Sequence, residues 1–426
     1  MDNNIELQPT INIGTLGHVA NGKSSTIKFL TGVQTSKFKS EMVRNITIKV
    51  GYANCKIYKC SKCPKPDCYK STAGSVMSLD CQCGERMTLE RHISFVDLPG
   101  HNSLMSQVLN GNAVMDSAIL LVAANEEFPQ PQTLEHIAIT EISNLKSMIV
   151  LQNKVDLVKD TECCVQYEKI RDFMKDTKNP ESPIIPVSAQ LGYNMDVLCE
   201  YIVTKIPQPV RDLTSPPRMF IIRSFDVNKP GEKVDNLKGG VCGGSIVRGM
   251  FKVGDEIEIR PGIKMENKYM PIFSKIVSLF SEDNSLEYAI PGGLIGVGLQ
   301  TDPIMTKGDN LVGQVMGHRG TLPCIFSEIE INFFLMRKVV GQENGDKKEN
   351  KIKKLVEGEV LMININSMST AGKVLKLKND LAKILLTNPI CGEVGDKIAL
   401  SRRINKQCRL IGYANIRSGV EVEISL

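Results

Sequence analysis

The chain has 426 residues, 42% hydrophobic and 23% charged, a composition that fits a soluble globular protein and a length too great for one ordinary core. Its 52 basic and 47 acidic residues leave a net charge of +5; this permits an anionic partner without requiring one, since a polyanion surface has to be a local patch. The most apolar run, Ala113 to Ala124, is short and interrupted by Asp116, so it is not expected to span a bilayer. The opening "MDNNIELQPTINIG" has no basic start followed by an apolar stretch; no signal peptide is expected, and a cytoplasmic protein is the default.

In chain order, "TINIGTLG", "RHISFVDLPG", "SAILLVAAN", "SMIVLQNKVD" and "PIIPVSAQ" read as buried strands that end in polar loops. Helical stretches lie between them, at Ser24 to Leu30, Leu104 to Met115, Pro131 to Asn144 and Cys163 to Thr177. This alternation predicts an α/β domain, a mostly parallel sheet with helices on both faces, whose ligand sits beyond the carboxyl ends of the strands. After the proline-rich stretch Pro207 to Pro217 the pattern changes to short β-branched runs separated by Gly and Pro, which predicts antiparallel barrels. A second break near "GHRGTLP" divides them. The expected domains are 1–210, with a cysteine-rich insert at about 55–90, then barrels at 216–320 and 322–426. The lysine-rich "ENGDKKENKIKK" reads as a solvated loop between strands.

"GHVANGKS", Gly17 to Ser24, follows a predicted strand and opens a predicted helix, as a phosphate-binding loop requires. Its glycines let backbone N–H groups turn towards a phosphate, and the helix N-terminus adds partial positive charge. Ala20, Asn21, Gly22, Lys23, Ser24 and Ser25 are therefore candidate nucleotide contacts. Lys23 would lie between β- and γ-phosphates, and the Ser24 hydroxyl would go to Mg²⁺. "DLPGH" ends another strand, offering Asp97 to Mg²⁺ and the Gly100 N–H to a γ-phosphate. "NKVD", with Asn153, Lys154 and Asp156, ends a third. A carboxylate there can accept both the ring N–H and the exocyclic amine of guanine, a pair adenine does not present. "SAQ", with Ser188, Ala189 and Gln190, ends a fourth and can offer the Ala189 N–H to the guanine carbonyl. Each tetrapeptide is weak alone; their order at successive strand ends points to a guanine-nucleotide switch. Thr47 would complete it as a second hydroxyl on Mg²⁺, although a lone threonine is also an ordinary strand residue. His101 is the candidate catalytic residue, placed to orient or polarise the attacking water, with structural support of the loop as the competing reading.

Thirteen cysteines is an odd number, and five of them fall between Cys60 and Cys83, which points to metal rather than a disulfide framework. Cys60 and Cys63 form a C-x-x-C half-site, and Cys81 with Cys83 offers a second pair. Four thiolates favour a structural zinc. The second pair is spaced by one residue rather than two, and Cys68 could replace Cys60 or Cys63.

These stretches together resemble the translational GTPases of the elongation factor Tu type. "VQTSKFKSEMVRNITIKVGYANCKIYKC", the cysteine insert, "PQPQTLEH", "LKGGVCGGSI" and "EVGDKIALSRR" narrow the resemblance to the gamma-subunit family of eukaryotic and archaeal translation initiation factor two. The resemblance covers nearly the whole chain. It implies a GTPase that hydrolyses GTP slowly without an activating protein. In its GTP form such a factor carries methionylated initiator tRNA to the small ribosomal subunit and is released after hydrolysis. It implies alpha and beta partner subunits, the second domain docking alpha and the nucleotide domain docking beta, and a guanine-nucleotide exchange factor. It places Tyr52 near the tRNA pocket, where a packing tyrosine is the other reading. An elongation-type or selenocysteine-specific GTPase carrying another aminoacyl-tRNA is the alternative. The chain departs from the family at Asn21, where a histidine is usual, and at Asn102, where an aspartate is usual.

Overall fold

The computed structural model describes residues 4–35, 49–101, 104–143, 145–229, 231, 233, 237–265, 268–336, 352–404 and 407–422. It separates into two compact units, Met1–Val210 and Arg211–Leu426.

In the first unit the strands are β1 (Ile11–Gly17), β2 (Gly51–Lys59), β3 (Tyr69–Ala73), β4 (Thr88–Asp97), β5 (Ser117–Ala123), β6 (Met148–Asn153) and β7 (Ile184–Pro186). The helices are α1 (Asn4–Leu7), α2 (Lys23–Thr31), α3 (Met105–Asn112), α4 (Pro131–Ser143), α5 (Asp160–Lys175) and α6 (Met195–Lys205). All five strands read from the sequence are present. The sheet order is β3-β2-β4-β1-β5-β6-β7. The strands β4, β1, β5, β6 and β7 run parallel, whereas β2 pairs antiparallel with both β3 and β4. The parallel strands β1 and β5 are buried along their entire length, which is why β5 reads as a nearly continuous apolar run instead of alternating. Ile13, Ile27, Phe95, Ile119, Leu151 and Leu198 belong to one core beneath the sheet and its helices. Register sets the site: Thr15 of β1 lies opposite Asp97 of β4, and Gly51 of β2 lies opposite the same Asp97.

The second unit is all β. Its strands are β8 (Arg218–Phe225), β9 (Val241–Arg248), β10 (Phe251–Lys252), β11 (Glu256–Met265), β12 (Lys268–Ser281), β13 (Asn284–Leu286), β14 (Tyr288–Ala289), β15 (Ile295–Leu299) and β16 (Val315–His318). Then follow β17 (Ile325–Leu335), β18 (Val360–Ile365), β19 (Met368–Lys378), β20 (Leu381–Cys391), β21 (Lys397–Ile404) and β22 (Gln407–Glu421). The order β11-β16-β8-β9-β15-β12 closes through β11–β12 pairing, with β13 appended to β12. The order β17-β20-β19-β18-β21-β22 forms a second closed barrel, so neither barrel leaves an unpaired wall edge.

Candidate nucleotide site and cysteine centre

Between the last residue of β1 and the first of α2 the chain reverses within a few residues, and its backbone shows the cost. Gly17, Ala20 and Gly22 have φ of 133°, 65° and 94°. A Cβ on Gly17 would lie 2.4 Å from the Leu121 carbonyl oxygen, and one on Gly22 would lie 2.2 Å from Asn153 Nδ2. Glycine is required at both by conformation and by space. Lys23 opens the helix with only 6% of its surface exposed. Its Nζ donates to the Gly17 carbonyl at 2.9 Å and the His18 carbonyl at 2.7 Å. Burial lowers the Lys23 pKa to about 8, opposed by the nearby Asp97 carboxylate.

Asp97 is fully buried at the end of β4. Its Oδ2 accepts from Ser24 Oγ at 2.7 Å and Thr35 Oγ1 at 2.5 Å, and its Oδ1 accepts from Thr15 Oγ1 at 3.2 Å. Desolvation raises the carboxyl's pKa, while the hydroxyl donors and Lys23 work against that rise. Ser24 and Asp97 thus meet as hard oxygen donors, a set that suits magnesium. Gly100 packs against the phosphate loop: a Cβ there would lie 2.5 Å from Lys23 Nζ and 2.9 Å from the Val19 nitrogen. His101 is exposed beside it, as are Ala20 and Ser25 on the loop and helix. Thr47 and Asn102 lie outside the described residues.

The base-recognition loops are tied to the phosphate loop by one side chain. Asn153 Nδ2 donates to the Asn21 carbonyl at 2.9 Å, and its Oδ1 accepts from the Ala189 N–H at 3.1 Å. The Ala189 N–H, expected at a guanine carbonyl, is therefore directed to Asn153. Asn21 is buried and donates from Nδ2 to the Leu121 carbonyl at 2.8 Å. Lys154 adopts a left-handed φ of 64°, turning the chain so that Asp156 follows on an exposed 3₁₀ turn. Ser188 is buried and receives the Leu191 N–H at its Oγ, 3.3 Å away; Gln190 is exposed.

Two contacts escaped the motif reading. His136, buried on α4, accepts the Gly17 N–H at Nδ1, 2.9 Å away. Burial, with Lys23 adding to it, lowers its pKa to about 3, so the ring is neutral and can accept. Thr35, only 6% exposed, is the hydroxyl on Asp97 described above. Tyr52 is half-buried on β2 opposite Val96.

In the cysteine insert, the thiol sulfurs of Cys60, Cys63, Cys81 and Cys83 all lie within 4.8 Å of one another. Cys60 and Cys83 are 3.5 Å apart, as are Cys63 and Cys81. Four thiolates around one tetrahedral zinc stand about 3.8 Å apart, so the quartet fits that ion. Backbone N–H groups of Lys62 and Cys63 hold the Cys60 thiol down to about 6. Cys81 accepts the Gly84 N–H at its carbonyl, 2.8 Å away, and Gly84 has φ of 81°, which is how a one-residue spacing still brings both thiols inward. Cys68 is buried in the same core as Cys60, but its sulfur is not part of the quartet. The choice left open by spacing falls on Cys60 and Cys63.

Lysine and carboxylate converging beside the first turn of α2, on a sheet followed by two closed barrels, mark a translational GTPase. The family comparisons agree: residues 8–208 match the elongation factor Tu GTP binding domain, and residues 239–316 match elongation factor Tu domain 2. Residues 327–416 match the C-terminal domain of initiation factor eIF2 gamma. The chain is 55% identical over 429 residues to eukaryotic translation initiation factor 2 subunit gamma of Schizosaccharomyces pombe, covering 99% of this chain and 96% of that one. It is 55% identical over 427 residues to eukaryotic translation initiation factor 2 subunit 3 of Drosophila melanogaster, covering 97% and 90%. The chain belongs to the gamma-subunit family of eukaryotic translation initiation factor 2, and is a translation initiation GTPase of that family. The fold is shared more widely. A bacterial selenocysteine-specific elongation factor matches with a TM-score of 0.70 at 20% identity, over 96% of this chain and 58% of that one. Elongation factor SelB of Methanococcus maripaludis, in complex with a GTP analogue, matches with 0.69 at 20% identity, over 97% and 80%. No helix among the described residues is long and apolar enough to cross a membrane.

Proposed function

We propose that this chain carries methionylated initiator tRNA to the small ribosomal subunit in its GTP form and lets go after hydrolysis to GDP. The meeting of Lys23, Ser24 and Asp97 at the mouth of the phosphate loop carries this reading, because a third phosphate is what such a cluster can sense. Lys23 exchanges the Gly17 and His18 carbonyls for phosphate oxygens. Gly100 presents its N–H to the γ-phosphate, and Asp156 accepts the guanine ring N–H and amine, with Asn153, Ser188 and Ala189 holding the loops that frame the base. Ser24, Asp97 and Thr47 would hold magnesium, which would supply positive charge to the phosphates. His101 orients the attacking water. Hydrolysis is slow alone and accelerated by an activating protein that supplies charge in trans. Cys60, Cys63, Cys81 and Cys83 hold a structural zinc that stabilises the insert. The barrels at 216–320 and 322–426 follow the nucleotide domain, 1–210. The alpha subunit docks on the second domain and beta on the first, Tyr52 lies at the tRNA acceptor end, and an exchange factor restores GTP.

Identity of 55% to two initiation factors, against 20% to the selenocysteine factors, favours initiator tRNA over another aminoacyl-tRNA. The test is retention of RNA by the purified complex loaded with GTP or GDP, followed by sequencing of what is held. Initiator tRNA is expected with GTP and lost with GDP. Equal retention in both states, or equal retention of elongator tRNAs, overturns the reading.

A further inference from the structure

A carboxylate oxygen offers about two lone-pair positions, and Asp97 Oδ2 has both occupied, by Ser24 at 2.7 Å and Thr35 at 2.5 Å. Ser24 belongs to the phosphate-loop motif, whereas no motif accounts for Thr35. Its place is nonetheless built. Thr35 is buried at 6% exposure, and it sits against Gly51, where a Cβ would lie 2.9 Å from the Thr35 Cβ and 3.5 Å from that of Asp97. Gly51 is itself held in register with Asp97 by the β2–β4 pairing. A bare glycine on the neighbouring strand thus makes room for a threonine methine beside the carboxylate.

We propose that Thr35 is a positioning residue of the magnesium site: its hydroxyl holds Asp97 Oδ2 and competes with metal-bound water for that oxygen, setting how much magnesium the site needs. This rests on the guanine-nucleotide reading above. Magnesium that reaches Asp97 through water brings its own donors to the carboxylate. Ser24 is a metal ligand in that reading and stays close, so Thr35 is the donor that yields. Thr35 therefore stabilises the carboxylate without metal and opposes metal binding, a setting for nucleotide release rather than for chemistry.

The experiment measures release of fluorescent GDP from the full chain across a magnesium titration, for the unaltered protein, Thr35→Val and Thr35→Ser. Removing the hydroxyl is expected to lower the half-saturating magnesium concentration about tenfold, the size of one hydrogen bond to a charged acceptor. Thr35→Ser, which keeps the hydroxyl, is expected to stay near the unaltered value. A magnesium requirement that Thr35→Val leaves unchanged or raises overturns the role of Thr35. Release from the unaltered chain that ignores magnesium altogether overturns the nucleotide-site reading itself, and this inference with it. Should Thr35→Val not fold, Thr35→Ala makes the same comparison.

Discussion

Replacing Asn153 by aspartate changes little in shape and reverses one contact. The amide is buried at 3% exposure, donating to the Asn21 carbonyl at 2.9 Å and accepting from the Ala189 N–H at 3.1 Å. Both partners are backbone groups of fixed polarity, so only one orientation of the amide satisfies them. Asn153→Ala leaves the two groups without this partner. At roughly 1 to 3 kcal/mol for each lost partner, a loss of about 2 kcal/mol or more of stability is expected. Asn153→Asp keeps the acceptor for Ala189 but sets oxygen against oxygen at the Asn21 contact, and buries a charge whose desolvation costs several kcal/mol more unless it takes a proton. Aspartate should therefore be worse than alanine, by about 1 kcal/mol or more, although it is the closer isostere. Urea unfolding of the chain, with equilibrium binding of fluorescent GDP alongside, gives the ranking. If Asn153→Asp matches the unaltered protein, or outperforms alanine in both assays, the clasp between the loops does not exist as described.

Gly100→Ala is expected to reduce the preference for GTP over GDP about tenfold or more, because its methyl would lie 2.5 Å from Lys23 Nζ and 3.0 Å from the Gly17 carbonyl oxygen; an unchanged ratio of the two affinities counts against it. The chain should also lose stability in mild acid. Burial holds His136 at about 3 and His92 at about 4, below the 6.5 of an unfolded histidine. Between pH 6.5 and 4 the unfolded chain takes up protons that the folded chain refuses, so this stability is complete above 6.5 and shrinks as pH falls, by about 2 kcal/mol per histidine at pH 5. His136→Asn, which retains an acceptor for Gly17, should flatten the fall in urea midpoint between pH 7 and pH 5; an unaltered slope would show that His136 does not carry it. Zinc content by atomic absorption should be one ion per chain in Cys68→Ser and none in Cys83→Ser, and the loss of Tm in Cys83→Ser should be reproduced by chelation of the unaltered protein. Loss of zinc from Cys68→Ser would reassign the ligand set.

The convergence of the candidate nucleotide-site loops is legible wherever it rests on a few consecutive residues at a strand end, as with Lys23, Asp97 and Asn153. Each motif couples a glycine turn or a polar tip to an apolar run, and both signals are local. What escaped was held by distant pairs. Nothing near Thr35 reveals that it meets Asp97. His136 lies in "PQPQTLEH" on α4, but its Gly17 partner is at the end of β1. The antiparallel β2–β3 hairpin was hidden because the cysteine insert masks the turn between its strands. Spacing brought Cys68 level with Cys60 and Cys63 as a ligand; only the folded positions of the sulfurs leave it out of the quartet.

The two borders of the seven-stranded sheet are both short. β3 has five residues and β7 only three, and the outer strand β7 ends in Pro186 after Pro183, neither of which has an N–H to lend. Lys70, exposed on β3, adds a charge to the other border. Such margins resist the stacking of one chain's sheet onto another's. The buried inner strands β1 and β5 stay sealed between neighbours, and clumping through them would require the domain to unravel first.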